Sequence, residues 1–138
     1  IRLTSPAAQD MPTADTLARF VARVEQGAHV EAIEEYYHPE ASMQENTAAP
    51  RVGRAALVAN ETRALSRVNA VHSRCIGPVF VNGDHVVIRW YFRFEGKDGT
   101  VRELEELAYQ QWKGERILAE QFFYDPSQFV PRPPSSAA

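Results

Sequence analysis

Cysteine is nearly absent from this chain, since Cys75 is the only one among 138 residues. A single thiol cannot form an internal disulfide or a cysteine-based metal cluster, so we predict a cytoplasmic protein that keeps this thiol reduced. Long apolar runs are missing as well, and no stretch approaches the roughly 20 apolar residues that span a bilayer. The sequence therefore predicts no membrane partner.

Basic runs and metal-binding spacings are missing too. Lysine and arginine total 15 against 18 aspartates and glutamates, which gives a formal net charge of −3 at pH 7. Without a basic run or a basic and aromatic stripe, nucleic acid is not a predicted partner. No two histidines stand four apart on a helix beside a glutamate, the spacing of a common zinc site. We therefore predict no metal. The histidines are His29, His38, His72 and His85.

Apolar residues recur at helical spacing only in the first half of the chain. The first such run follows Thr13, a suitable N-cap, and ends at Gly27. A second helix is predicted over residues 29–37, because the His-Pro pair that follows it disfavours helical backbone. A short strand over residues 41–46 and a third helix from Gly53 complete this half.

The second half alternates with the period of two that is typical of strands. An Asn-Gly-Asp sequence at residues 82–84 and an Asp-Gly pair at residues 98–99 predict tight hairpin turns. A Gly-Pro pair at residues 77–78 predicts a bend or bulge in the first strand. The predicted strands cover residues 71–81, 85–95, 101–112 and 117–125.

This order of elements predicts an α+β fold, with three N-terminal helices packed on a strongly bent antiparallel sheet. We predict one domain over residues 13–130, preceded by an arm of residues 1–12. A tail over residues 131–138, rich in proline, serine and alanine, is predicted to be disordered.

The last two strands carry an unusual inner face. If Trp112, Phe122 and Tyr124 point inward, then Glu106, Gln110 and Glu120 do so as well, by parity. A carboxylate is not buried without a reason. The mixture of aromatic, amide and carboxylate side chains therefore predicts a pocket rather than a plain core.

Several local phrases resemble the NTF2-like superfamily of cone-shaped domains, and its SnoaL-like, polyketide-cyclase-related branch above all. They cover residues 37–41 (Tyr-His-Pro-Glu-Ala), residues 52–54 (Val-Gly-Arg), residues 112–117 (Trp-Lys-Gly-Glu-Arg-Ile) and residues 124–126 (Tyr-Asp-Pro). The resemblance spans about residues 13–128. Relatives include isomerases, cyclases, dehydratases and epoxide hydrolases, and many members without chemistry, so the fold does not decide the function.

The resemblance implies a pocket between the concave sheet face and the helices. It implies carboxylate acid–base chemistry at Glu45, Glu106 and Glu120. This chain departs from the epoxide hydrolases, because Trp90, Phe92 and Phe122 stand where those enzymes carry arginine and aspartate. It offers no clear match to the Tyr/Asp pair of the isomerases either. The predicted pocket-lining residues are Tyr37, Met43, Trp90, Phe92, Gln110, Trp112, Phe122 and Tyr124.

The two inward carboxylates on the last strands admit two interpretations. Glu106 and Glu120 repel each other if they share a dry pocket, which raises one pKa and creates a general acid. Alternatively, each is satisfied by Gln110, Arg89 or a backbone amide, or faces solvent. Glu45 is either a base at the pocket or a solvated edge residue.

These features predict a SnoaL-like protein that binds a small aromatic or polycyclic organic molecule. It is a candidate isomerase or cyclase that needs no cofactor, since a carboxylate and a hydrogen-bonding amide suffice to move a proton. A non-catalytic ligand-binding or sensor domain and a protein-interaction module remain alternatives. The outer sheet face predicts a homodimer interface. Its residues are Arg89, Tyr91, Arg93, Tyr109, Gln111, Gln121 and Phe123.

Overall fold

Three helices and seven strands make up the protein, in a computed structural model that describes residues 10–133. The helices are α1 (Ala14–Glu25), α2 (His29–Tyr36) and α3 (Arg54–Ser66). The strands are β1 (Tyr37–Glu45), β2 (Arg51–Val52), β3 (Val68–Cys75), β4 (Phe80–Asn82), β5 (His85–Gly96), β6 (Val101–Lys113) and β7 (Arg116–Phe123). A single 3₁₀ turn, Pro126–Gln128, follows β7. No helix in the described part is long and apolar enough to cross a membrane.

The helices differ in how firmly they are anchored. The hydroxyl of Thr13 accepts a hydrogen bond from the backbone N–H of Thr16, which confirms the predicted N-cap of α1. Three residues of α1 are buried, whereas α3 buries only Leu57. Two of the strands, β1 and β2, lie between α2 and α3 along the chain. The third helix therefore follows the first strand pair and is not part of one N-terminal helical block.

The sheet is mixed rather than antiparallel throughout. Its order is β2-β1-β7-β6-β5-β3. Strand β4 is outside this order and pairs with the first residues of β5. Strand β1 pairs in parallel with β7, so that Met43 lies opposite Glu120 and Glu45 lies opposite Phe122. The prediction of a purely antiparallel sheet is therefore wrong at this one pairing. The long β5–β6–β7 meander is antiparallel, as predicted.

A bulge between β6 and β7 changes the direction of one side chain. Gln111 pairs with Ala119, but the next residue, Trp112, pairs with Ile117. Leu118 is skipped, and Ile117 turns inward, where it is fully buried. Simple alternation places Ile117 on the outer face, and that assignment is wrong. From Ala119 onward the predicted inward parity holds, with Glu120 buried.

Only part of the predicted arm and tail falls within the described residues. The proposed arm lies mostly outside the described residues, as do residues 134–138 of the proposed tail. Arg132 exchanges two backbone hydrogen bonds of 2.8 Å with Val101. Ordered pairing thus continues two residues beyond the predicted boundary at Val130.

Candidate active site

A chain of hydrogen bonds crosses the concave face between β6 and β7. Gln110 and Glu120 are direct cross-strand partners. The indole Nε1 of Trp112 donates to Oε1 of Gln110 at 2.9 Å, and Nε2 of Gln110 donates to Oε2 of Glu120 at 2.6 Å. An indole N–H can only donate, so it holds the amide oxygen of Gln110 toward Trp112 and the amide nitrogen toward Glu120.

The second carboxyl oxygen of Glu120 accepts a hydrogen bond from the hydroxyl of Tyr37. Tyr37 begins β1 directly after α2, and the parallel pairing of β1 with β7 brings the two residues together. Burial raises the pKa of Glu120 to about 7, although the hydrogen bonds from Tyr37 and Gln110 act to lower it. Burial and the neighbouring Glu120 also raise the pKa of Tyr37 well above its ordinary value. Glu120 is thus a buried carboxyl whose two oxygens are both occupied.

Glu106 lies on the same face but in a different environment. It pairs with Trp90 on β5 and stands two inward positions along β6 from Gln110, with Ala108 between. Its side chain is 9% exposed, and within residues 10–133 no group donates a hydrogen bond to it. Burial raises its pKa to about 8, and the carboxylates of Glu120, Glu45 and Glu61 add to the shift. Glu106 is thus a largely buried carboxyl without a hydrogen-bond partner among the described residues.

The open edge of the concave face carries Glu45 and Tyr124. Glu45 is exposed at the end of β1, as the solvated-edge alternative predicts. Tyr124 is half-buried, and its pKa is raised by burial and then by Glu45 and Glu106. Its hydroxyl is therefore close to both carboxylates. The backbone N–H of Tyr124 donates to Oδ1 of Asn46 at 3.0 Å, which ties the chain after β7 to the turn after β1.

Aromatic and apolar side chains surround these carboxyls. Trp90 and Phe92 are buried and stack with ring centroids 5.7 Å apart. Met43 and Phe122 are half-buried, opposite Glu120 and Ala108 respectively. Of the eight predicted lining residues, five are buried and three are half-buried. The buried ones are Tyr37, Trp90, Phe92, Gln110 and Trp112, and the half-buried ones are Met43, Phe122 and Tyr124.

Sequence reasoning missed Glu61 and the contacts of His29. Glu61 lies on α3, and its charge raises the pKa of both Glu106 and Glu120. His29 joins three elements: Nε2 lies 2.7 Å from Oγ of Ser73 on β3, and Nδ1 lies 3.6 Å from Glu61. Its ring also lies against Phe92. α3 has little amphipathic pattern, so no periodicity marked Glu61 as inward.

A cavity of about 430 Å³ lies elsewhere, at the sheet edge beside the C-terminal segment. It is lined partly by outward residues such as Tyr91 and Glu105, and partly by Gln128 and Arg132. None of the concave-face residues described above lines it. Leu104, an inward residue of β6, does. Within residues 10–133, no group of three or more His, Cys, Asp or Glu side chains is arranged to hold a metal ion.

The family model for the SnoaL-like domain matches residues 17–119. The chain belongs to this family. The match runs from α1 into the first half of β7, so that the inward residues Glu120, Phe122 and Tyr124 lie beyond it. The comparison with curated proteins finds no match.

Solved structures share the fold of this SnoaL-like protein at low sequence identity. A Catenulispora acidiphila protein with a ketosteroid isomerase-like fold, in complex with trimethylamine, has a TM-score of 0.72 at 19% identity, covering 86% of this chain and 91% of that one. TerC co-crystallised with polyporic acid has a TM-score of 0.68 at 12% identity, covering 82% and 91%. An LEH-like epoxide hydrolase of M. tuberculosis has a TM-score of 0.69 at 10% identity, covering 83% and 84%. These likenesses establish the fold and leave the reaction open.

Proposed function

We propose that this SnoaL-like protein binds a small organic molecule against its concave face and moves a proton on it, as an isomerase or cyclase. The observation that carries the proposal is the contrast between the two buried carboxyls. Glu120 has both oxygens occupied by Tyr37 and Gln110, whereas Glu106 has no hydrogen-bond partner among the described residues. Burial of a carboxyl is costly unless the group is protonated or paired, and a ligand bound on this face would supply the missing partner of Glu106.

Glu106 is the catalytic residue in this proposal. Its ionised carboxylate takes a proton from a carbon next to a carbonyl, which leaves an enol or enolate, and the resulting carboxylic acid returns the proton to another carbon. The substrate keeps its atoms and electrons, so no cofactor is required. A pKa near 8 suits both steps, because acid and base forms coexist near neutral pH and above.

Three further residues have positioning roles. Tyr37 and Gln110 hold the carboxyl of Glu120 on the same face. The charge of Glu120 in turn raises the pKa of Glu106. Glu45 and Tyr124 stand at the open edge, where a ligand would enter. The walls of the proposed pocket are Trp90, Phe92, Phe122 and Met43, which favours a ligand with a flat aromatic or polycyclic body.

The fold neighbours support ligand binding in general terms. Trimethylamine and polyporic acid are bound by two proteins of the same fold. Both are small organic molecules. The low identity of these neighbours means that they support small-molecule binding by the fold and neither a particular site nor a particular substrate.

The experiment is a carboxyl-detected NMR titration, assigned by the Glu45→Gln, Glu106→Gln and Glu120→Gln variants. We expect the Glu106 resonance to titrate near pH 8. The same variants are then assayed on β,γ-unsaturated cyclic ketones, whose conjugated products absorb in the ultraviolet. Loss of turnover in Glu106→Gln, with an unchanged fold by circular dichroism, supports the proposal. A Glu106 that titrates near 4.5 overturns it.

A non-catalytic binding domain is the second candidate, and one observation favours it. Such a domain is expected to neutralise its carboxylates with its own side chains, and Glu120 fits this description. Glu106 does not. Tight ligand binding together with an elevated Glu106 pKa and no turnover across the ketone panel would favour this candidate.

We further propose that the protein forms a homodimer through its outer sheet face and resides in the cytoplasm. Leu107, Tyr109 and Phe123 on this face are 44%, 46% and 44% exposed. Phe123 is the cross-strand partner of Leu107, so the apolar surface is continuous. An exposed apolar patch rimmed by charged residues is typical of an interface. The same patch would serve a protein-interaction module, which binds a different partner there.

A further inference from the structure

Charge is unevenly distributed between the two faces of the sheet. Glu106 and Glu120 point to the concave face, and Glu61 of α3 and Glu45 at its edge contribute to the same field. The arginines of β5 point the other way. Arg89 lies 2.6 Å from Glu105, and Arg93 contacts Glu95. They are therefore already paired, and they are separated from Glu106 by the sheet.

The remaining cations near the concave face have other partners. The guanidinium groups of Arg54 and Arg116 donate to the backbone carbonyl of Tyr37 at 3.1 and 3.3 Å. Arg102 lies two inward positions further along β6 from Glu106, and its guanidinium stacks over the ring of Phe129. The charged groups that shift the pKa of Glu106 are the carboxylates of Glu120, Glu45 and Glu61, and all of them raise it. The carboxylates on this face thus lack a compensating cation within the described residues.

The side chain that faces this acidic space is itself unpartnered. Glu106 is more than nine-tenths buried, and no group in residues 10–133 donates a hydrogen bond to it. A buried carboxylate of this kind requires either a proton or a positively charged partner. The remaining exposure of 9% shows that the residue is not completely sealed from solvent.

Aromatic side chains lie beside Glu106 on the same face of the sheet. Trp90 is its cross-strand partner, and Tyr124 lies close enough for the charges of Glu106 and Glu45 to affect its hydroxyl. Phe122 is half-buried and adjoins Ala108, the next inward residue of β6. The faces of such rings attract cations, most strongly where water is excluded. Acidic groups and aromatic rings therefore favour the same kind of ligand.

We propose that the space facing Glu106 binds an organic cation, namely an amine or quaternary ammonium group that carries apolar substituents. This rests on the proposed function, because it assigns a charge to the ligand of the same site. The ammonium group lies against Glu106 and beside Tyr124, with Glu61 and Glu45 further away. The apolar part of the ligand lies on the half-buried rings of Phe122 and Tyr124.

Cation binding is coupled to the ionisation of Glu106. The titratable groups that face it are Glu120 from β7, Glu45 and Tyr37 from β1, Glu61 from α3 and Tyr124 after β7; His29 of α2 lies beside Glu61. Below a pH of about 8 a proton occupies Glu106. A bound cation displaces that proton, so cation affinity increases as the pH rises through this value and proton release accompanies binding at pH 7.

The test compares two probes of the same shape, choline and 3,3-dimethyl-1-butanol, which differ in the positive charge. Binding to the full chain is measured by calorimetry and by the fluorescence of Trp90 and Trp112. We expect choline to bind at least about tenfold more tightly than the neutral alcohol at pH 9. At pH 7, buffers of different ionisation enthalpy should reveal proton release on choline binding.

Two matched variants locate the effect. Glu106→Gln should abolish the preference for choline, whereas Glu105→Gln, the adjacent residue on the opposite face, should retain it. Equal affinity for the two probes, no detectable binding of choline at pH 9, or an equal loss in Glu105→Gln overturns the inference. An elevated Glu106 pKa together with equal affinities overturns only the cationic ligand, whereas a Glu106 pKa near 4.5 overturns the proposed function as well.

Discussion

The side-chain amide of Gln110 donates a hydrogen bond of 2.6 Å to the carboxylate of Glu120, its direct cross-strand partner. Trp112 orients this amide from the other side. Because of this arrangement, two carboxyls on one sheet face have different roles available to them. Glu120 is held by the protein, whereas Glu106, two inward positions away from Gln110, has no hydrogen-bond partner among the described residues and is the proposed ligand contact.

Removal of the Tyr37 hydroxyl should raise the pKa of Glu120. Burial raises this pKa and the hydrogen bond from Tyr37 lowers it, so the effect of burial is larger in Tyr37→Phe. We expect the Glu120 carboxyl resonance in NMR to titrate at a higher pH than in the parent protein. The variant should also be less stable by about 1–3 kcal/mol at pH values above this raised pKa, where Glu120 is ionised and lacks one donor. Tyr36→Phe is the control, and an equal shift in that variant would contradict a specific Tyr37–Glu120 interaction.

Glu106 should make the protein less stable as the pH rises. Its pKa is about 8 in the folded state against an ordinary value of 4.5, so between these values the folded state binds more protons than the unfolded state. Stability from this group is complete below about pH 4.5 and is lost as the pH rises through about 8. Glu106→Gln removes this dependence. Relative to the parent, it should gain on the order of 4 kcal/mol in unfolding free energy between pH 5 and pH 9.

Urea denaturation at several pH values measures this difference. Glu34→Gln, an exposed glutamate on α2, is the control and should give a flat difference from the parent protein. If the parent and Glu106→Gln curves run parallel from pH 5 to pH 9, Glu106 is ionised in both states and its environment is wet.

The sequence predicts the concave face well where the strands are regular. The alternation along β6 is sufficient to place Glu106 and Gln110 inward, because their pairing with β5 is uninterrupted. Simple alternation fails at Ile117 because a single skipped residue reverses the parity of a strand, and nothing in the local sequence marks the bulge.

Long-range geometry sets the remaining limits. The hydrogen bond between Tyr37 and Glu120 joins residues 83 positions apart and depends on the parallel pairing of β1 with β7. Parallel strands are not joined by a hairpin turn, so no local sequence signal predicts this pairing. The inward position of Glu61 could not be predicted for another reason. It lies on a helix with one buried residue, Leu57, so no apolar stripe indicates which side faces the sheet.

Packing of Leu57 should fix the position of α3 against the rest of the domain. It is 1% exposed and is the single buried residue of this helix. Leu57→Ala should cost about 2–5 kcal/mol in unfolding free energy, by loss of burial and creation of a cavity. Leu65→Ala, on the same helix but only half-buried, should cost less than half as much. Because α3 carries Glu61, Leu57→Ala should also lower the pKa of Glu106 in the NMR titration. An unchanged Glu106 pKa would show that α3 keeps its position without Leu57.

The outer face offers the last prediction, which concerns assembly. Leu107 is 44% exposed, and its cross-strand partners are Arg89 and Phe123. Leu107→Glu places a carboxylate beside Arg89, so the folded monomer should tolerate it, while a desolvated carboxylate at a dimer interface is costly. We expect the parent to sediment as a dimer in analytical ultracentrifugation and the variant as a monomer. Val52→Glu, 65% exposed on β2 at the far end of the sheet, should remain dimeric. A parent that is already monomeric at high micromolar concentration would refute the homodimer and leave the apolar patch to a different protein partner.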